Sequence, residues 1–176
     1  MNYSNFSIEK AKASVENLGG QFKGNYIFKD IIFVPRKKIY NLNEDFLRIR
    51  SYVKTNLLTK NVVLVRKKTE WKKQGKLDKI ILKKEFDTEK EAFLFIEENL
   101  PDFEKGFEYR REGWQYELEK NKIFVENIEE YSPSIEIETN DEKDLHILFN
   151  KIGVKDLVRD SVPEIMRRIL TKSSKE

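Results

Sequence analysis

Three successive stretches of the chain, Phe46 to Val53, Val62 to Thr69 and Lys79 to Phe86, alternate apolar and charged residues. A period of two belongs to a β-strand with one face buried and the other wet, because successive side chains point to opposite sides of the pleat. The segments between them carry Asn56, Thr59-Lys60-Asn61 and Gln74-Gly75, which suit turns. Three consecutive strands of one antiparallel sheet are therefore predicted.

More strand sequence lies on both sides. Gln21 to Phe28 and Ile31 to Val34 are rich in aromatic and β-branched residues and close at Pro35, after which Pro35 to Asp45 reads as a polar loop. Phe107 to Leu118, Lys122 to Ile128 and Ser134 to Thr139 form a predicted meander, with turns at Glu119-Lys120-Asn121 and Tyr131-Ser132-Pro133. Helical periodicity places Ile8, Ala11, Val15 and Leu18 on one face between Ser7 and Leu18, with a glycine stop at Gly19-Gly20. A capping box at Thr88 and Glu91 opens a second helix that faces Ala92, Phe95, Ile96 and Leu100 inward and stops at Pro101. Thr139 with Glu142 opens a third, with the stripe Leu145, Leu148, Phe149 and Ile152 ending at Gly153, and Ser161 with Glu164 opens a fourth at Pro163. The expected fold is one α+β domain over residues 1–170 with a flexible tail, 171–176, and no internal repeat or low-complexity linker.

At 176 residues the chain has the length of a single domain able to bury a sizeable core. No apolar run approaches the roughly 20 residues needed to cross a bilayer, and Met1 to Phe6 has neither the basic start nor the apolar stretch of a secretory signal, so a cytoplasmic protein is expected. The absence of cysteine excludes disulfides, thiolate metal sites and a cysteine nucleophile. With 34 Lys and Arg against 31 Asp and Glu, net charge alone does not point to nucleic acid. Distribution is more informative: Lys54 to Lys84 is strongly basic and Glu126 to Glu142 acidic, which suits an anion held together with a metal.

On the strands, Arg48 and Arg50 share one face while Leu47 and Ile49 share the other. Lys83 and Glu85 flank Lys84, Glu136 and Glu138 flank Ile137, and Arg66-Lys67-Lys68 puts cations on both faces. Any single pair is explained by the wet side of a half-buried sheet. Like charges side by side repel, however, and the set is easier to understand if a polyanion lies against the arginines and a divalent cation against the glutamates. Arg48 and Arg50 are the leading phosphate ligands, because a guanidinium grips phosphate through a planar fork. Glu136 and Glu138, with Glu126, are the candidate ligands for Mg²⁺ or Mn²⁺.

The order Phe46-Leu47-Arg48-Ile49-Arg50, Lys83-Lys84-Glu85, Arg110-Arg111, Phe124-Val125-Glu126 and Ser134-Ile135-Glu136-Ile137-Glu138 resembles the triphosphate-tunnel (CYTH) family over about Gly20 to Thr139. The last helix, Pro163 to Leu170, is similar to the class IV adenylyl cyclase branch. The resemblance implies an antiparallel sheet closed or nearly closed into a tunnel, with Arg48, Arg50, Lys67, Lys83, Arg110 and Arg111 against the substrate and Glu136, Glu138, Glu126 and Glu85 against Mg²⁺ or Mn²⁺. It departs from the family at the opening Glu-x-Glu-x-Lys strand, which has no counterpart in Met1 to Phe6. Either that strand lies upstream in a longer chain or the domain is a binding module without it.

Two function classes follow. One is a metal-dependent enzyme acting on a nucleoside triphosphate or another triphosphate, as an adenylyl cyclase or a triphosphatase. The other is an inactive binder of nucleotides, polyphosphate or RNA ends. A general nucleic-acid binder using Lys54 to Lys84 is a third, weaker option. RNA and a second copy of the chain, as a homodimer, stay open as partners, and a membrane is not expected. The lone His146 is read as an ordinary helix residue, Trp71 as a loop or rim aromatic, Trp114 and Tyr116 as outer-face packing, and Lys72, Lys73 and Lys76 as a solvated loop.

Overall fold

The computed structural model describes residues 7–36, 39–56, 61–72, 75–131, 133–139, 142–153, 158 and 160–173. Met1 to Phe6, Thr59-Lys60, Gln74, Ser132 and residues 174–176 of the expected tail lie outside them. Helix α1 (Ile8–Asn17) starts at Ser7, whose hydroxyl accepts a hydrogen bond from the Lys10 backbone N–H at 3.2 Å. It ends before Gly19, which has the left-handed φ of 88° that glycine adopts without a Cβ clash.

Strands β1 (Gln21–Pro35), β2 (Asp45–Thr55), β3 (Val62–Lys72) and β4 (Gly75–Phe86) come next, then helix α2 (Glu89–Asn99). Strands β5 (Phe103–Leu118), β6 (Asn121–Ile128) and β7 (Pro133–Glu138) follow, and helices α3 (Glu142–Ile152) and α4 (Val162–Ser173) close the chain. The two pieces expected at Gln21 to Phe28 and Ile31 to Val34 are one continuous strand. The charged break at Lys29-Asp30 does not end it, because Asp30 keeps its ladder partners on both sides, Arg50 and Tyr109. Helix α4 continues past Thr171 to Ser173.

All seven strands form one antiparallel sheet in the order β4-β3-β2-β1-β5-β6-β7. In a flat sheet of that order the edge strands would stand roughly 29 Å apart, at about 4.8 Å per step. Instead, Lys76 of β4 lies 3.6 Å from Glu136 of β7. The sheet therefore curls toward closure, giving an α+β half-barrel with flanking helices.

Burial follows the two faces of the curl. On the convex side, α2 packs Ala92 and Ile96 against Ile31, Phe33, Leu47, Ile49, Val62 and Leu64. Helices α1 and α3 cover the other half through Ala11, Val15, Leu148 and Ile152 against Tyr116, Ile123 and Val125. Trp114 packs on that cluster and Tyr116 lies within it. A third cluster joins Met166 of α4 and Leu42 to Ile32, Phe46, Tyr109 and Ile128. These share the parity of Asp30 and Arg48, so α4 packs on the concave side. No helix among the described residues is long and apolar enough to cross a membrane.

Candidate functional site

The concave face encloses a cavity of about 140 Å³ to which all seven strands and the start of α4 contribute side chains. Its chemistry follows from ladder register. Asp30, on central strand β1, lies directly opposite Arg50 on one side, with Arg48 one step along opposite Ile32. On the other side Phe28 pairs with Arg111. Residues two apart share a face, so three guanidiniums converge on one carboxylate.

Asp30 is wholly buried. Arg50 donates to it through Nε at 2.8 Å and Nη2 at 3.0 Å, a bidentate pair, and lies over the Phe28 ring at 3.5 Å from its centre. Arg48 Nη1 and Arg111 Nη2 each stand 3.4 Å from Oδ2. Arg111 also donates to Glu126 Oε2 at 3.0 Å, and the Tyr26 hydroxyl donates to Glu126 Oε1 at 2.6 Å. Tyr26 reaches Glu126 across Gly113, whose ladder partners are those same two residues. A Cβ at Gly113 would come within 2.3 Å of the Tyr26 ring. Burial and the neighbouring Glu126 carboxylate push the Tyr26 hydroxyl far above its ordinary pKa, so it stays protonated as the donor.

Arg48 stands out. Its residue is 9% exposed, its one carboxylate contact among the described residues is the long one to Asp30, and its Nε has no hydrogen-bond partner among them. Burial, together with the Arg50 and Arg111 guanidiniums, pulls its pKa down against the influence of Asp30, although arginine remains charged. Arg48 is thus a buried cation with too little negative charge around it.

A second group of charges lies toward the two sheet edges. Lys67 Nζ contacts Asp78 Oδ2 at 3.2 Å, and Thr69 Oγ1 donates to Asp78 Oδ1 at 2.8 Å. Lys76 Nζ lies 3.7 Å from Asp78 and 3.6 Å from Glu136.

The residues singled out in the sequence separate cleanly. Arg48, Arg50, Lys67, Arg111, Glu126, Glu136 and Glu138 all line the cavity. Arg110 is exposed on the opposite face from Arg111, opposite Lys29 in the ladder. Lys83 and Glu85 keep the concave parity, opposite Val65 and Val63, but are exposed and do not line the cavity. Asp30, Tyr26, Lys76 and Asp78 belong to the site without having been singled out as ligands. Lys76, expected in a solvated loop, lies in β4. Trp71 is also in a strand, and its ring N–H donates to the Asn43 carbonyl at 2.8 Å. The side chain of His146 lies outside the described residues.

The carboxylates proposed for Mg²⁺ or Mn²⁺ do not fit a resident metal as they stand. Both Glu126 oxygens are engaged by Arg111 and Tyr26, Glu136 faces Lys76, and Glu138 is exposed. Among the described residues no three His, Cys, Asp or Glu converge as a metal site. A hard divalent cation seeks six or more oxygens, whereas Asp30, Asp78, Glu126 and Glu136 each already have a cation beside them.

No protein-family profile matches the chain, and no curated protein matches it in sequence. Solved structures do resemble it. The PH1819 protein of Pyrococcus horikoshii superposes with a TM-score of 0.76 at 19% identity, covering 95% of this chain and 96% of its own. A candidate adenylyl cyclase from Hippeastrum with a dominant triphosphatase activity gives 0.68 at 15% identity over 93% of this chain and 91% of its own. A candidate adenylate cyclase from Vibrio parahaemolyticus gives 0.65 at 10% identity over 90% of each chain. At these identities the likeness establishes the fold: this chain shares the curled antiparallel sheet and flanking helices of those proteins.

Proposed function

We propose that this protein binds a triphosphate, inorganic or carried on a nucleotide, in the concave cavity. The observation that carries this is Arg48, a buried guanidinium with an unpartnered Nε among the described residues, beside two more guanidiniums that share its one carboxylate. Along this wall Arg48, Arg50 and Arg111 face Asp30 and Glu126, so three cations share two carboxylates. An anion seated there supplies the missing charge in a partly desolvated site, where charge-assisted hydrogen bonds are strong. Toward the sheet edges Lys67 and Lys76 line the same cavity, paired with Asp78 and Glu136, and offer further cations to a ligand with more than one phosphate. The fold likeness to a Hippeastrum protein with triphosphatase activity supports the same ligand class. RNA and a second copy of the chain gain no support from this geometry.

Turnover of the triphosphate, by cyclase or triphosphatase chemistry with Mg²⁺ or Mn²⁺, is the second function kept. It is favoured by the fold likeness to the Hippeastrum protein with triphosphatase activity, although Glu136 and Glu138, which both line the cavity, do not form a metal site as they stand. Titrating inorganic tripolyphosphate and ATP calorimetrically, first with EDTA and then with Mn²⁺, while following phosphate and cyclic nucleotide, tests both. Binding in EDTA is expected, and product with Mn²⁺ would assign turnover. Absence of binding to either compound under both conditions would contradict a triphosphate site.

A further inference from the structure

Not all contacts in the cavity are equally fixed. Arg50 with Asp30 and Thr69 with Asp78 are hydrogen bonds of 3.0 Å or less with defined geometry. The Lys76 contacts differ: 3.6 Å to Glu136 and 3.7 Å to Asp78 exceed hydrogen-bonding distance and are held by charge alone. They also occupy a special place, because β4 and β7 are the two edges of the sheet and Lys76 with Glu136 spans the seam between them. Both side chains are about a third exposed, at 35% and 38%, so a ligand entering along the seam meets them.

From this geometry we infer that Glu136 is an internal competitor for the ligand. Its carboxylate occupies Lys76 while the cavity is empty and gives it up to a phosphate oxygen of the bound anion. The inference rests on the triphosphate reading of the cavity, and it assigns to Lys76 and Glu136 the roles of anion ligand and occupant. It runs opposite to Glu136 as a metal ligand, because it makes this carboxylate an obstacle to anion binding rather than a requirement for it. No bond is made or broken; one ion pair is exchanged for another.

The test is calorimetric titration of inorganic tripolyphosphate in EDTA, on the full chain, with melting curves to confirm folding. Glu136→Gln is expected to bind about two- to fivefold tighter, the range set by loss of a partly exposed ion pair. Lys76→Met is expected to bind roughly tenfold weaker, as for removal of one charge-assisted contact. Neutralising any carboxylate near an anion site gives some gain, so the deciding comparison is a double-mutant cycle. In the Lys76→Met background Glu136→Gln should give no more than Glu138→Gln gives in the wild type. Equal gains from Glu136→Gln in both backgrounds, or no gain in the wild type, would overturn the competitor role while leaving the triphosphate site standing. Failure of the folded wild type to bind tripolyphosphate in EDTA or with Mn²⁺ would remove that site and the inference with it.

Discussion

Asp30 holds Arg50 by two parallel hydrogen bonds, 2.8 and 3.0 Å long, at a carboxylate from which solvent is excluded. The pair locks the orientation of Arg50, and the two further guanidiniums 3.4 Å away depend on the same carboxylate for compensation. Asp30→Ala should therefore do more than break one pair, since it leaves three buried cations facing each other. A loss of about 3–5 kcal/mol is expected, as for removal of one partner from a buried ionic group, measured by urea unfolding at neutral pH.

Acid should find the same carboxylates. Lys76 above all, helped by Arg111, Lys67 and Arg50 and opposed by burial, holds Glu136 down from 4.5 to about 2. Burial pushes Asp30 up, but Arg48, Arg50 and Arg111 outweigh it and hold it below its ordinary value. A carboxyl depressed in the folded state stabilises the fold above its unfolded pKa, and that contribution is lost as pH falls, because the unfolded chain then binds protons more readily. Stability should begin to fall near pH 4.5 and keep falling to about pH 2. Urea unfolding across that range checks it, and Glu136→Gln should flatten the upper part of the slope.

Gly113 is required by a close approach. Tyr26 crosses it to reach Glu126, and an added Cβ would lie 2.3–2.5 Å from the Tyr26 ring and hydroxyl. Gly113→Ala is expected to cost about 1–3 kcal/mol, the usual range for overpacking, and to push Tyr26 off Glu126. Denaturant unfolding measures the loss. Tyr26→Phe, which removes the hydroxyl but not the ring, separates the hydrogen bond from the clash.

Much of this architecture was legible in the residues because alternation carries face information directly. Leu47 and Ile49 lie in the convex core and Arg48 and Arg50 in the cavity, as the period of two requires. The capping Thr88 likewise marks the start of α2, with its hydroxyl accepting from the Glu91 N–H at 3.3 Å. Asp30 was not legible as a site residue, because a lone carboxylate between two apolar stretches reads as the end of a strand. Only the arginines on neighbouring strands, distant in sequence, explain its burial. Parity could have exposed it, since Phe28, Asp30 and Ile32 share a face. Lys76 was missed for a related reason: the basic run around it looks like loop, and only the ladder to Trp71 shows that β4 starts at Gly75. For Arg110 and Arg111, the sequence names two adjacent arginines, but strand parity places one on each face, and the choice depends on which face holds Glu126 and Asp30.

The most direct measurement concerns Arg48, because a site built to hold an anion should keep this cation at some cost to the fold. Arg48→Met retains the apolar stem and removes a buried charge whose pKa is depressed by burial and by Arg50. Tripolyphosphate affinity and urea stability should be measured on the same preparation. The expected result is a loss of about tenfold or more in affinity, with stability unchanged or increased, as when a buried ion gives way to an apolar side chain of similar size. Unchanged affinity in the folded variant would contradict the account.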